Sequence, residues 1–205
     1  MSLFITFEGG EGCGKSTQSR RLFRSLQKLA IPARLVHEPG VTMLGNKIRH
    51  LLKWSEGLKI SPIAELLLFN AARAELVDEV VKPALKNDTV VICDRYVDST
   101  TAYQGYGRGM DLGVVAAANR IGTQGLNPDL VILMDISVEE GLARKKSEQP
   151  DRFQKESLNF HRRVREGYLK LAAAEPGRWL VVDATRSKEE IADIIWRRVC
   201  QLLPG

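Results

Sequence analysis

The chain of 205 residues is 44% hydrophobic and 27% charged, which suits one soluble domain with a sizeable core and is short for two. No apolar run approaches the length of a membrane span. The three scattered cysteines, Cys13, Cys93 and Cys200, lack the spacing of a disulfide scaffold or a metal site, so each is expected to be a small buried or half-buried side chain. A formal net charge of +5 favours anionic partners, either nucleic acid or small phosphates.

The opening "MSLFITFEGG" has no basic segment and reaches a glycine loop too early for a signal peptide, so a cytoplasmic protein is expected. Leu3–Phe7 reads as a buried strand and runs into "FEGGEGCGKST", where Gly9-x-x-x-x-Gly14-Lys15-Ser16 has the form of a phosphate-binding loop. Glycines let such a loop turn its N–H groups inward around an anion, and the helix that follows adds the positive end of its dipole. Lys15 is expected to reach the β- and γ-phosphates of a nucleoside triphosphate and Ser16 to ligate Mg²⁺. A base-reading N-K-x-D motif, as in Ras-type GTPases, is absent: the one Asn-Lys pair, Asn46-Lys47, continues Ile48-Arg49 and comes too early.

A helix over Lys15–Ala30 precedes a strand at Ala33–Val36, and a second helix covers Leu44–Leu52. The next, Pro62–Leu85, opens on Ser61-Pro62, a cap followed by proline at the first helical position. Ile63, Leu67, Ala71, Ala74 and Val81 make one apolar row on it; Phe69, Arg73, Leu76 and Val80 make another, roughly opposite. Arg73 interrupts that second row and needs a partner, and Phe69, one turn away, offers a flat face for a base. Strand Val90–Cys93 ends in Asp94-Arg95-Tyr96, with Asp94 placed to hold Mg²⁺ or a water of its shell and Arg95 placed to fork onto an acceptor phosphate. Ser99, Thr100, Tyr103 and Gln104 then supply hydroxyls and an amide on a helix over Val97–Gln104, as a reader of sugar and base would require.

Helix Leu112–Gly122, strand Leu130–Met134, helices Val138–Lys146 and Gln154–Ala174, strand Leu180–Val182 and helix Lys188–Leu203 complete the chain. Ser137 and Ser187 each open a helix with the capping-box form. Five apolar runs alternating with helices give an α/β fold, a parallel sheet covered by helices on both faces, with ligands expected at the carboxyl ends of the strands.

With "FEGGEGCGKST", "HEPGVTMLGNKIRHLL", "LLLFNAAR", "DRYVDSTTAYQGYGRG", "NPDLVILMD" and "DRFQKESLNFHRRVREGYLKLA" in this order, the chain resembles the bacterial thymidylate kinases over essentially its full length. The resemblance implies the P-loop NTPase fold with a five-stranded parallel sheet, one domain over residues 1–205 with a lid at about 144–153, a homodimer, and transfer of a phosphoryl group from ATP to dTMP with Mg²⁺. It implies that Gly9, Gly10, Glu11, Gly12, Cys13, Gly14, Lys15, Ser16 and Thr17 bind ATP, with Ser16 and Asp94 at the metal. Phe69 would stack on thymine, Arg73 would bond its carbonyl edge, and Thr100 and Gln104 would finish base recognition, beside Ser99. Tyr103 would press on the deoxyribose, Arg95 and Arg49 would hold the acceptor phosphate, Glu38 and Pro39 would close the acceptor loop, and Glu11 would face the sugar or phosphate region.

Lys15, Arg95 and a lid cation, Arg144, Lys146 or Arg152, are the expected catalytic charges. The acceptor oxygen is already anionic, so the three histidines, His37, His50 and His161, need no catalytic role. A deoxynucleoside kinase, with Glu38 as the base for a 5′-hydroxyl, and a non-enzymatic nucleic-acid-binding P-loop protein are the alternatives.

Overall fold

Each of the five apolar runs becomes a strand, and each strand ends one residue later than its apolar run, on a polar or acidic residue: β1 (Leu3–Glu8), β2 (Ala33–His37), β3 (Val90–Asp94), β4 (Leu130–Asp135) and β5 (Trp179–Asp183). The computed structural model describes residues 2–54, 57–145 and 150–203. All strand pairs are parallel, in the order β2-β3-β1-β4-β5. Phe7 and His37 both lie beside Asp94, so the carboxyl ends of β1, β2 and β3 form one edge.

Alternation along β1 divides the core. Leu3, Ile5 and Phe7 join Leu22 and Leu26 of α1 (Lys15–Lys28) on one face; Phe4 faces the other. The second face is covered by a long helical segment that begins as predicted at Pro62, where the Ser61 hydroxyl accepts from Ala64 N–H. The expected single helix Pro62–Leu85 is instead α3 (Pro62–Leu76), a wider π-turn at Val77–Val81, and α4 (Lys82–Lys86). Pro83 supplies the reason: it has no N–H to donate and its ring would strike the carbonyl four residues back, so the backbone widens ahead of it. α2 (Met43–Trp54) packs beside α3.

The predicted helix Val97–Gln104 is a single turn, α5 (Val97–Thr100), that opens into a π-helical segment, Thr101–Gly107. Glycines allow this segment to lie close to its neighbours: a Cβ on Gly107 would fall 2.7 Å from Phe160 and 2.8 Å from Val164. α6 (Leu112–Thr123), α7 (Val138–Arg144), α8 (Leu158–Ala174) and α9 (Lys188–Cys200) follow. α8 starts later than the predicted Gln154, because Asp151 Oδ1 accepts from Phe153 and Gln154 N–H to make a side-chain turn and Ser157 takes the cap. Ser187 makes the full reciprocal capping box, whereas Ser137 accepts from Glu140 N–H without it.

Cys13 and Cys93 are buried, but Cys200 is exposed, contrary to expectation, because the buried stripe of α9 runs through Ile191, Ile195 and Val199 and leaves the next residue on the outer face. Of the two apolar rows on α3, the one with Phe69, Arg73 and Leu76 turns inward, and Ile63 and Leu67 face solvent. Among the described residues no helix is long and apolar enough to cross a membrane.

Candidate functional site

One cavity of about 600 Å³ opens at the carboxyl edge of β1, β2 and β3. Its lining takes in the glycine loop, the Glu38-Pro39 turn, Arg49 and Lys53 of α2, Phe69 and Arg73 of α3, Asp94 at the end of β3, and Arg95, Tyr96, Ser99, Thr100, Tyr103 and Gln104 beyond it. Arg144 and Lys145, at the end of α7, complete it.

The loop has the backbone its sequence requires. Gly9, Gly12 and Gly14 take positive φ, at 136°, 67° and 94°, and α1 starts directly at Lys15. The approach is closest at Gly12, where a Cβ would sit 1.8 Å from the carbonyl oxygen of Gly141; a Cβ on Gly141 would in turn sit 2.4 Å from Glu11 O. Only hydrogen at both positions lets the loop rest against α7. Lys15 folds back over the loop and donates to Gly9 O (3.0 Å), Gly10 O (2.6 Å) and Cys13 Sγ (3.3 Å). Ser16 Oγ donates to Asp94 Oδ2, which puts a hydroxyl and a carboxylate oxygen side by side at the start of α1.

Arg95 sits beneath the loop with φ of 72°, and its backbone N–H donates to Phe7 O (3.0 Å). Its guanidinium donates to Gly9 O (3.1 Å), Ser99 Oγ (3.2 Å), Tyr168 Oη (3.3 Å), Tyr103 Oη (3.2 Å) and Glu11 Oε1 (2.9 Å). Glu11 also meets Lys145. Burial alone would push the Glu11 carboxyl up, but Arg95, Lys15 and Lys145 together hold it well below the usual carboxylate range. Arg49 Nη1 donates to Pro39 O (2.9 Å), and Lys53 Nζ to Asp151 Oδ2 (2.9 Å).

Deeper in, Arg73 is 1% exposed and enclosed by protein acceptors. Nη1 donates to Asn70 Oδ1 (3.1 Å) and Asn119 Oδ1 (2.9 Å), and Nη2 to Tyr96 O (3.2 Å) and Thr100 Oγ1 (2.7 Å). Glu38 Oε1 lies 2.6 Å from the same Nη2. Burial raises the Glu38 pKa and the Arg73 charge opposes that rise. Gln104 Nε2 donates to Glu65 Oε1 (2.8 Å).

The structure therefore brings Lys15, Ser16, Thr17, Glu38, Pro39, Arg49, Phe69, Arg73, Asp94, Arg95, Ser99, Thr100, Tyr103, Gln104 and Arg144 to one cavity. Gly9, Gly10 and Cys13 stand behind it, as partners of Lys15. Arg152 is placed elsewhere: Nε donates to Leu52 O (3.1 Å) and Nη2 to Glu65 Oε2 (2.5 Å). Lys146 lies outside the described residues. Sequence reasoning missed Lys53, Glu65, Lys145 and Tyr168. Lys53 stands one turn beyond Arg49 on the same helix face, a spacing that could have found it. Tyr168 reaches Glu8 across 160 positions and leaves no local trace.

The thymidylate kinase family model matches residues 7–195. A thymidylate kinase of Dehalococcoides mccartyi is 56% identical, covering 99% of this chain and 98% of the relative, and one of Thermomicrobium roseum is 49% identical, covering 99% and 97%. The crystal structure of thymidylate kinase from Ehrlichia chaffeensis superposes with a TM-score of 0.76 at 32% identity, covering 98% of this chain and 99% of that one.

Glu8, fully buried under the cavity, gives a pH signature. It accepts from Tyr96 N–H (2.7 Å), Ser99 Oγ (2.6 Å) and Tyr168 Oη (3.0 Å), yet burial and then the neighbouring Asp98 carboxyl raise its pKa to about 7. The folded state holds this proton more tightly than the unfolded chain does. The contribution to stability is therefore complete below the ordinary value of 4.5 and is lost as pH rises through about 7. Glu8→Gln, neutral at every pH, should gain on the wild type by about 1–3 kcal/mol between pH 5 and pH 8. Thermal melts of both proteins across that range check it; a constant difference in Tm would refute it.

Proposed function

The chain belongs to the thymidylate kinase family, and we propose that it transfers the γ-phosphoryl group of ATP to the 5′-phosphate of dTMP, giving ADP and dTDP. The observation that carries this reading is the single cavity shared by the glycine loop and by the Arg49, Arg95 and Phe69 wall, which lets a donor and an acceptor phosphate meet. On this reading the backbone from Gly9 to Thr17 cradles the triphosphate. Lys15 leaves its carbonyl partners for the β- and γ-phosphates. Arg95 and Arg49 hold the acceptor phosphate, Phe69 stacks on the base, Tyr103 abuts the deoxyribose, and Arg73, Ser99, Thr100 and Gln104 shape the base pocket, with Glu38 and Pro39 at its rim.

Mg²⁺ would be held by Ser16 Oγ and Asp94, two hard oxygen donors already adjacent, and would supply neutralising charge between the phosphates. No set of three or more His, Cys, Asp or Glu poised for a metal occurs among the described residues, which fits an ion completed by phosphate and water. The remaining work is positioning and charge neutralisation. Arg144, whose Nη1 now donates to Ala184 O (2.8 Å), is the lid cation of this reading, and Arg152 anchors the base of the lid on Glu65. On this reading the chain 1–205 acts as one P-loop unit with its lid at about 144–153, of which residues 146–149 lie outside the described residues, and its place is the cytoplasm.

A deoxynucleoside kinase would need a free carboxylate to accept the proton of a 5′-hydroxyl. Glu38 is paired with Arg73, and the depressed pKa of Glu11 makes it a weak base. The test is a panel of dTMP, dUMP, dCMP and thymidine with ATP, Mg²⁺ and product detection; transfer to thymidine with none to dTMP would overturn the reading.

The homodimer is supported by α3 and α6, which pack together and leave Leu67 57% and Ile121 76% exposed. Ile121→Glu should shift sedimentation from twice the chain mass to one chain mass; a wild type that sediments as a monomer would rule this surface out.

Two further outcomes follow from the charges. Lys15→Ala should keep the melting profile and lose at least about a thousandfold in kcat. Arg144→Ala should lower kcat by about ten- to a hundredfold with little change in the KM for dTMP, since the contact is made to charge that develops during transfer. Steady-state kinetics of both variants is the check, and full activity in either would remove that residue from the mechanism.

A further inference from the structure

Glu65 lies in the first turn of α3, 1% exposed, and no step of the transfer uses it. Three side chains donate to it, two of them, Gln104 and Arg108, four residues apart on one segment. Arg152 Nη2 reaches Oε2 (2.5 Å), Arg108 spans both oxygens (3.2 Å each), and Gln104 Nε2 reaches Oε1 (2.8 Å). Arg108 is itself held by Glu156 Oε1 (2.5 Å), so the cluster is anchored from outside as well.

We infer that Glu65 is a positioning residue for base choice: it fixes which end of the Gln104 carboxamide faces the nucleotide. A carboxylate that receives two guanidinium groups can only accept. The carboxamide of Gln104 must therefore turn its NH₂ to Glu65 and its oxygen away. That oxygen accepts from no group among the described residues, and Gln104 lines the cavity beside Phe69 and Thr100. The pocket thus offers the base an acceptor at this point. Thymine and uracil carry a donor, N3–H, on the pairing edge, whereas cytosine carries a lone pair at N3. An acceptor facing N3–H makes a hydrogen bond; an acceptor facing a lone pair leaves two buried acceptors opposed. Arg73 is less able to make this distinction, because its terminal nitrogens are already shared among Asn70, Asn119, Tyr96, Thr100 and Glu38.

The inference rests on the functional reading above, and the experiment separates the two. In Glu65→Gln the new side chain has one oxygen, which Arg108 and Arg152 claim, so its NH₂ faces Gln104. The Gln104 carboxamide then reverses and presents NH₂ to the base. The measurements are kcat/KM for dTMP, dUMP and dCMP and the KM for ATP. The dTMP-over-dCMP ratio should fall by about tenfold or more. The dTMP-over-dUMP ratio should stay within about twofold, because both bases carry N3–H, and the KM for ATP should not move. A general loosening of the pocket would move both ratios, and that result overturns the inference. Glu65→Gln combined with Gln104→Glu restores an acceptor-only group at the base and the net charge of the cluster, so the dTMP-over-dCMP ratio should return; failure to return counts against it. If Glu65→Gln does not fold, Gln104→Met, which leaves Glu65 with both arginines, must show the same selective loss, and an unchanged ratio there overturns the inference. A wild-type enzyme that phosphorylates dTMP while Glu65→Gln keeps its ratio defeats this inference alone. A wild type inactive on dTMP defeats the functional reading and this inference with it.

Discussion

The site is organised around one half-buried guanidinium. Arg95 gathers a loop carbonyl (Gly9), two tyrosine hydroxyls (Tyr103, Tyr168), a serine hydroxyl (Ser99) and a carboxylate (Glu11). These come from the glycine loop, the segment after β3 and α8. A planar group with five N–H donors in a fixed fork is suited to hold so many acceptors in one arrangement. The cost is local, since a non-glycine residue at φ 72° is held in a sparsely populated backbone region. The strained turn after β3 therefore aims the side chain back under β1, where the loop begins.

That arrangement makes the cavity an electrostatic balance before any nucleotide enters. Lys15, Arg95 and Lys145 converge on Glu11, while Arg49 and Lys53 line the opposite wall with Asp151 as their carboxylate. Burial lowers the pKa of both Arg49 and Lys53, and each is lowered further by Arg95, so these cations press on one another. On the proposed reading a phosphate would relieve that crowding, and because each cation already has a protein partner, its entry would replace those partners.

Much of this was legible in the chain itself. The strands show as short apolar runs with glycines or caps at their ends, and the glycine loop has a spacing few other structures use. The π-turn at Val77–Val81 was not, because its cause, Pro83, lies two residues beyond it and the apolar periodicity runs straight through. Gln104 was legible as a polar group at helical spacing, but the direction of its carboxamide was not, since that is set by Glu65, 39 positions away. Arg152 looked like a free lid cation because sequence shows charge and not partner; the carboxylate that claims it is buried on another helix. Lys145, beside the predicted Arg144, was hidden by the same limit.

The glycine pair at positions 12 and 141 has a consequence for how this sequence can drift. Gly12 faces the Gly141 carbonyl and Gly141 faces the Glu11 carbonyl, so a methyl group at either one strikes a peptide unit and no rotamer change can relieve it. Relief requires α7 and the loop to move apart. Three and four residues after Gly141 stand Arg144 and Lys145, the two cations this helix brings to the cavity. A single added carbon at this seam would thus be read out as two positive charges in the wrong place. Neither glycine is free to change alone, although neither carries a functional group.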